Sequence, residues 1–388
     1  MKNEIRTKKV NKLVSIVIAI MMVATVFFGM SISANAAQVV KVTSSVKAGN
    51  YSKVITVDLR TPTNGAKIYY TTNGKTPTTS STKYTVAFKV SKVTTVKAIA
   101  AKSGMVNSAV ATFVYNVNVI PTNLSGTVNM SGASALYPLG KNIADKFKAA
   151  NPNLSFNVTA GGSGTGLNNI RDNTVDIGMS DVPASDKLPA SDVAKLLEHK
   201  VGVVGVATIV HPAVRAAISN ITTANLKKIF DGTYTNWNQV GGPNQTIVVV
   251  NRPSSSGTRV LYRQYALGGQ ADISGDTSLT TDDSNSLAKT VSVTKGAIGY
   301  LALSYVQGTS LSFGVLSIDG NAPTYSNIYT YKYKVWGYER MYTDKTVTMK
   351  AAVKAYLDYI VSKNVAPTLE SLGYGAISKL GTAAKNSR

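Results

Sequence analysis

The sequence predicts a multidomain protein in which a small all-β sandwich precedes a two-lobed α/β region. Three observations lead there. Residues 38–117 are rich in Val, Thr, Ser and Lys and alternate apolar with polar residues over short runs, the period of half-buried strands. From Ser125 onward, apolar strand-like runs alternate instead with helical patterns, which is the signature of an α/β architecture with largely parallel sheets. The stretch 125–388 exceeds one ordinary domain, so two lobes are expected.

Residues 1–36 come first and read as a secretory signal peptide. Lys2, Arg6, Lys8, Lys9 and Lys12 precede an apolar run from Leu13 to Met30, and Ala34-Asn35-Ala36 offers the small residues of a cleavage site. An uncleaved anchor is the competing reading, because the run is nearly long enough to span a bilayer. The cleavage site favours removal. Cysteine is absent from the 388 residues, which excludes disulfides, thiol chemistry and a lipid-modified cysteine after the signal. An exported chain without cysteine fits a bacterial, Gram-positive source and a secreted, extracellular or cell-envelope location. The formal charge of +22 stays strongly positive after the leader is removed and suits an anionic envelope. The basic residues are dispersed and no nucleic-acid motif accompanies them, so nucleic acid is not expected as a partner.

Within 38–117, strands are expected at Lys53–Leu59, Lys67–Thr71, Val93–Ala100 and Ala109–Tyr115, separated by turns such as Thr63-Asn64-Gly65 and Thr72-Asn73-Gly74. The order Gly65-Ala66-Lys67-Ile68-Tyr69-Tyr70-Thr71-Thr72-Asn73-Gly74-Lys75-Thr76-Pro77-Thr78, followed by Thr95–Ala100, resembles the small β-sandwich module appended to chitobiase and hexosaminidase enzymes. That resemblance implies an accessory spacer or surface-contact module, with cell-wall polysaccharide as a partner to consider. Tyr69, Tyr70 and Tyr84 are the candidates for stacking on sugar rings, weighed against ordinary packing on the sheet. A linker at 118–124, marked by Pro121, closes the module.

In 125–388, helices are expected at Ala144–Ala150, Asp192–His199, Leu226–Phe230 and Arg259–Leu267. Strands are expected at Gly126–Met130, Phe156–Thr159, Val201–Val210, Ile247–Val250 and Ala297–Leu301. The strand-to-helix junctions carry the chemistry. Ser131-Gly132-Ala133-Ser134-Ala135-Leu136-Tyr137, Gly161-Gly162-Ser163-Gly164-Thr165-Gly166 and Arg252-Pro253-Ser254-Ser255-Ser256-Gly257-Thr258-Arg259 each follow a strand and open a helix. Unpaired N–H groups and the positive end of the dipole make such a start an anion seat. Asp176-Ile177-Gly178-Met179-Ser180-Asp181 places a carboxylate beside these seats. A carboxylate repels an anion unless the anion carries a proton to share, which points to hydrogen phosphate. No G-x-x-x-x-G-K-[ST] loop and no dinucleotide glycine spacing is present, so no cofactor is expected.

These segments in this order, with Gly296-Ala297-Ile298-Gly299-Tyr300, Tyr356–Ile360 and Gly373-Tyr374-Gly375, resemble the phosphate-binding proteins of phosphate ABC transporters. The likeness spans Ser125 to Leu380. It implies a type II periplasmic-binding-protein-like fold, capture of inorganic phosphate in an interlobe cleft, and a membrane permease as partner. It implies that Ser134 with the amides of Ala135 and Leu136 forms the first loop, and that Ser163 donates its hydroxyl. Asp181 would accept a phosphate proton, Arg252 would pair with the anion, and Ser256, Gly257 and Thr258 would complete the cup. The family often has an acid two residues after this arginine, where Ser254 stands here, so Arg252 is expected to lack an orienting partner. Chain crossings between the lobes are expected near Val206–His211 and Gly299–Ser304. A wall-associated adhesion or phosphate-sensing protein on the same fold is the alternative.

An enzyme is not expected and no catalytic residue is assigned. His199 and His211 are the only histidines, and His199 is read as the dipole-stabilising end of a helix. Asp272-x-Ser274-x-Asp276…Asp283 faintly resembles a calcium loop, but Thr277 replaces its glycine, so no metal site is assigned.

Overall fold

The structure, a computed structural model, describes residues 37–51, 53–117, 119–272, 282–362 and 365–388. The signal peptide expected over 1–36, and Ser274, Asp276 and Thr277 of the acidic stretch, lie outside the described residues. The chain divides into two units, one ending at 49 and resuming over 55–115, the other formed by 50–54 and 116–388.

Over residues 38–117 the alternating runs form strands as their period requires. A five-stranded sheet holds, in spatial order, Gly49–Tyr51, Ala111–Val117, Thr94–Ala101, Lys67–Thr71 and Thr82–Lys83. Lys67–Thr71 lies antiparallel to Thr94–Ala101 with Ile68 opposite Ala100. The run expected at Lys53–Leu59 is divided instead into Ile55–Val57, paired with Phe88–Val90, and Leu59–Arg60, paired with Thr43–Ser44. Tyr70 stacks on Phe88 with ring centroids 4.8 Å apart, and Tyr84 meets Tyr70 edge-on at 6.1 Å. The Tyr84 hydroxyl donates to Asp58 Oδ1 at 2.6 Å. Both rings are therefore engaged by their own neighbours, while Tyr69 is half-buried on its strand.

The second unit starts with β1 (Gly126–Gly132), α1 (Tyr137–Ala150), β2 (Leu154–Ala160), α2 (Ser163–Arg171) and β3 (Ile177–Ser180). Helix α1 buries Leu139, Ile143 and Phe147 at the i, i+4 spacing of one face. Each such side chain contributes about 1.5–3 kcal/mol by leaving water. β1 is parallel to both β2 and β3, as βαβ crossovers require. One hydrophobic core is shared by β1, α1, β2 and β3 with Met341, Tyr356 and Leu357, while Leu167 and Ile170 of α2 pack in a separate cluster with Leu196 and Tyr342.

β4 (Leu196–Val210) follows, then β5 (Val248–Val249), α3 (Gly257–Tyr265), α4 (Ser284–Val293), β6 (Ala297–Ala302), β7 (Gly314–Ile318), β8 (Trp336–Asp344) and α5 (Ala351–Ile360). The sheet order is β2-β1-β3-β8-β4-β6-β5, with β7 also paired to β4. A second core gathers Val206, Ile209, Phe230, Tyr262, Tyr300 and Trp336. The two cores are the two lobes. β4 is antiparallel to β8 from Leu196 to Gly205, then antiparallel to β6 from Val206 to Val210.

Three expectations are corrected here. The sheet is mixed rather than largely parallel, because its central pairs β3–β8, β8–β4 and β4–β6 are antiparallel. The crossings are β4 near Val201–Val203 and β8 near Tyr338–Met341, not Val206–His211 and Gly299–Ser304. Val206, Ile209, Val210 and β6 belong to the second core, whereas Val201 lies in the first and Val203 in the second, and Trp336 and Tyr338 of β8 lie in one core and Met341 in the other. Continuous burial marks a crossing strand and a central core strand alike. The helix expected at Asp192–His199 is a strand from Leu196, its helical part confined to Ala190–Val193. Pairing of Leu196 with Asp344 and of His199 with Met341 overrides the local periodicity.

Candidate functional site

The three helix starts singled out in the sequence meet at one place. Ser134 lies just before α1, Ser163 is the first residue of α2, and Ser256 is the N-cap of α3. Ser134, Ser163, Ser256, Thr258, Asp181 and Arg252 are all buried, Arg252 and Ser163 completely. Gly162, at φ +92°, turns the chain into α2, and a Cβ there would stand 2.5 Å from Asp282 Oδ2. Gly257 permits a closer approach still: a Cβ would collide with Ser163 Oγ and stand 3.0 Å from Asp181 Cβ.

The contacts join one lobe to the other. Thr258 Oγ1 donates to Asp181 Oδ2 at 2.8 Å, and Arg252 Nη2 donates to Ser134 Oγ at 2.7 Å. The Gly164 N–H donates to Ser255 O at 2.9 Å. Lys187 Nζ adds a contact to Ser254 O at 2.6 Å. Within these contacts the hydroxyls keep protons to give. Ser163 Oγ accepts from the Asp181 N–H at 3.0 Å, and Ser256 Oγ accepts from the Arg259 N–H at 3.2 Å. Of the first loop, the Leu136 N–H is engaged by Ala133 O at 3.2 Å, while Ala135 O accepts from the Tyr374 hydroxyl at 2.5 Å.

Arg252 does have an orienting acid. Asp282 accepts its Nε at 2.5 Å and also pairs with its Nη2, both side chains being buried. The partner arrives from far along the chain, immediately before α4, rather than from position 254. Behind Arg252, Arg259 Nη1 donates to Arg252 O at 2.6 Å while its Nε and Nη2 hold Asp272 at 2.9 and 3.0 Å. Burial works to raise the Asp272 carboxyl, but Arg259 and Asn251 outweigh it and hold the group below its ordinary value. Asp272, Asp282 and Asp283 of the acidic stretch are thus engaged by Arg259, by Arg252 and by the Ser286 N–H respectively. No group of three or more His, Cys, Asp or Glu side chains among the described residues is placed to hold a metal.

Two polar atoms of the site have no hydrogen-bond partner among the described residues: Arg252 Nη1 and Asp181 Oδ1. One is a charged donor and the other an acceptor. Burial pushes the Asp181 carboxyl above its ordinary value, against the Thr258 hydrogen bond and the Arg252 charge. A residue that sequence reasoning missed adjoins it. Glu339 on β8 is fully buried, no donor among the described residues meets either of its oxygens, and it is within hydrogen-bonding reach of the Asp181 carboxyl. No local pattern announces it, since β8 is buried on both faces from Trp336 to Thr343.

The histidines stand elsewhere. His199 lies on β4, not at a helix end, with Nε2 3.3 Å from Thr343 Oγ1, and burial lowers its pKa. His211 Nδ1 accepts from the Ala213 N–H at 3.2 Å, capping the helix Pro212–Ala217.

Known proteins resemble this arrangement along most of the chain. A sequence profile of the PBP superfamily domain matches residues 118–364, and one of the chitobiase/beta-hexosaminidase C-terminal domain matches residues 46–112. The chain is 43% identical over 241 residues to the phosphate-binding protein PstS of Bacillus subtilis (strain 168), an alignment covering 62% of this chain and 77% of that one. It is 26% identical over 260 residues to the phosphate-binding protein PstS of Borreliella burgdorferi, covering 64% and 88%. Among solved structures, a putative phosphate ABC transporter substrate-binding protein with bound phosphate from Clostridium perfringens matches with a TM-score of 0.57 at 26% identity, covering 65% of this chain and all of that one. An ABC-type phosphate transport receptor from Vibrio cholerae shares the fold, with a TM-score of 0.51 at 22% identity.

Proposed function

The chain belongs to the PBP superfamily and, within it, to the phosphate-binding PstS proteins, and on that premise we propose that it captures inorganic phosphate between its two lobes for the membrane permease of a phosphate ABC transporter. The observation that carries the reading is the joint presence, in one buried site, of an unpartnered guanidinium donor on Arg252 and an unpartnered carboxylate acceptor on Asp181. A hydrogen phosphate offers both complements, oxygens for the donor and a proton for the acceptor.

In this reading the hydroxyls of Ser134, Ser163 and Ser256 and the amides at the three helix starts, other than those of Leu136, Tyr137 and Gly164, which the protein itself engages, meet the remaining oxygens. Each charge-assisted hydrogen bond contributes about 1.5–3 kcal/mol net, while micromolar binding needs only about −8 kcal/mol. Dehydration of the anion and closure of the lobes consume the difference. Sulfate at neutral pH has no proton for Asp181 and leaves a bare oxyanion against a buried carboxylate. Titration calorimetry of the exported form with phosphate and with sulfate tests this, and equal affinities would refute it.

We assign no catalytic step, since the relatives carry the names of binding proteins. Residues 125–388 are assigned to capture, 118–124 to a linker and 38–117 to an accessory module on an exported, envelope-associated protein. Packing of Tyr70 and Tyr84 against their neighbours favours a spacer over a sugar-stacking surface for that module. Retention of the full chain on peptidoglycan or chitin would reverse that assignment. Among the described residues, no helix is long and apolar enough to cross a membrane.

A further inference from the structure

Asp181 and Glu339 form a buried carboxyl pair behind the anion site, and neither can satisfy the other unless one of them holds a proton. Their surroundings differ. Asp181 Oδ2 accepts from the Thr258 hydroxyl, and the Arg252 guanidinium stands by. Among the described residues, Glu339 has no donor on either oxygen. The neighbouring Arg340 is turned away from it, its Nε donating to Glu198 Oε1 at 2.7 Å and its Nη1 to Asp181 O and Tyr338 O at 3.2 and 2.8 Å. The Tyr374 and Tyr325 hydroxyls, close enough for the Glu339 charge to act on them, give their protons to Ala135 O and Gly373 O at 2.5 and 2.7 Å. On β4, the residue paired with Glu339 is Gly202, which has no side chain to offer. Asp282, the other acid that bears on Asp181, is neutralised by Arg252.

We propose that Glu339 is a positioning residue of the anion site, carrying the pair's proton and donating it to the Asp181 carboxylate, whose remaining lone pairs stay open to the ligand. The pair then holds one negative charge, localised on Asp181, and the carboxylate that reads the ligand is fixed from behind by Glu339 and from the side by Thr258. Burial, the Asp181 charge and the bond between the two carboxyls all favour the neutral form of Glu339, with Arg340 opposing them. A carboxylic acid kept neutral by an apolar site, so that it serves as a donor, is an established chemical device. Its consequence here is selectivity. With Glu339 donating, Asp181 stays an acceptor and refuses sulfate; without that donor, Asp181 takes up a proton more readily and becomes a donor to sulfate.

The inference rests on the phosphate-capture reading for its functional half only, and the test separates the two. Infrared difference spectra of the ligand-free full chain against E339Q should show a protonated-carboxyl C=O stretch at neutral pH that E339Q lacks. E339Q, which keeps an uncharged donor, should retain the phosphate-over-sulfate ratio within about threefold, while E339M, of similar length but with no donor, should lose about tenfold or more of it. No such stretch, or an E339Q as impaired as E339M, would overturn the proposal. The stretch present in a chain that binds no phosphate would leave Glu339 protonated and refute phosphate capture instead. If E339M fails to fold, the spectrum and the E339Q ratio still decide.

Discussion

Thr258 Oγ1 and Asp181 Oδ2, 2.8 Å apart, belong to opposite lobes, and their hydrogen bond fixes the carboxylate on which recognition depends. Thr258→Val preserves shape and removes the donor. It should lower phosphate affinity about tenfold, with Thr258→Ser restoring most of the loss. Calorimetry on the three proteins checks this, and an unchanged Val variant would remove Thr258 from the mechanism.

Asp181→Asn replaces an obligate acceptor by a group that also donates. Phosphate should bind more weakly and sulfate more tightly, narrowing their ratio by about tenfold or more. Competition between the two anions measures the ratio directly.

Gly257→Ala places a methyl group against Ser163 Oγ and Asp181 Cβ. The helix start itself tolerates alanine, so the collision acts on the approach of the lobes. Phosphate affinity should drop by about a hundredfold or more, and solution scattering with phosphate should show a less compact particle than the parent.

Asp282→Ala leaves the fully buried Arg252 guanidinium without its acid. Breaking a buried pair from one side costs about 3–5 kcal/mol. Trp237 and Trp336, the only tryptophans, are both buried in the second unit, so fluorescence-monitored urea unfolding reports on that unit. A loss below about 1 kcal/mol would show that Arg252 does not depend on this pairing.

Glu339 gives the second unit a pH dependence of known sign. Burial holds its folded pKa well above the ordinary glutamate value of 4.5, so the folded state binds the proton more tightly than the unfolded chain. The associated stability is complete below 4.5 and is lost as pH rises through the folded value. Asp181, shifted the same way from 3.8, adds to this trend. Thermal melts followed by tryptophan fluorescence should therefore decline as pH rises over that window, and E339Q should decline less.

Sequence patterns revealed the helix starts at Ser134, Ser163 and Ser256 and the acid at Asp181, because glycine- and serine-rich junctions are local signals. They also located α1, α3, β1 and β6 to within a few residues of most ends. What escaped them was set by distant pairing. Asp282 reaches Arg252 across a long polar excursion whose spacing encodes no contact. Glu339 sits in a strand without alternation, because both faces of β8 are covered. The start of β4 read as a helix because β8, which makes it a strand, lies more than a hundred residues away in sequence.

Strand β4 exchanges β8 for β6 between Gly205 and Val206, and a strand cannot stretch. That exchange lies within the second lobe, whose core holds Val203, Val204 and Val206, while β4 reaches the first core at Val201. The lobes are joined by continuous strands and cannot slide past each other without breaking a whole ladder of backbone bonds. A continuous connection of this kind keeps the facing edges in register, so that Gly257 stays opposite Ser163 and Thr258 opposite Asp181.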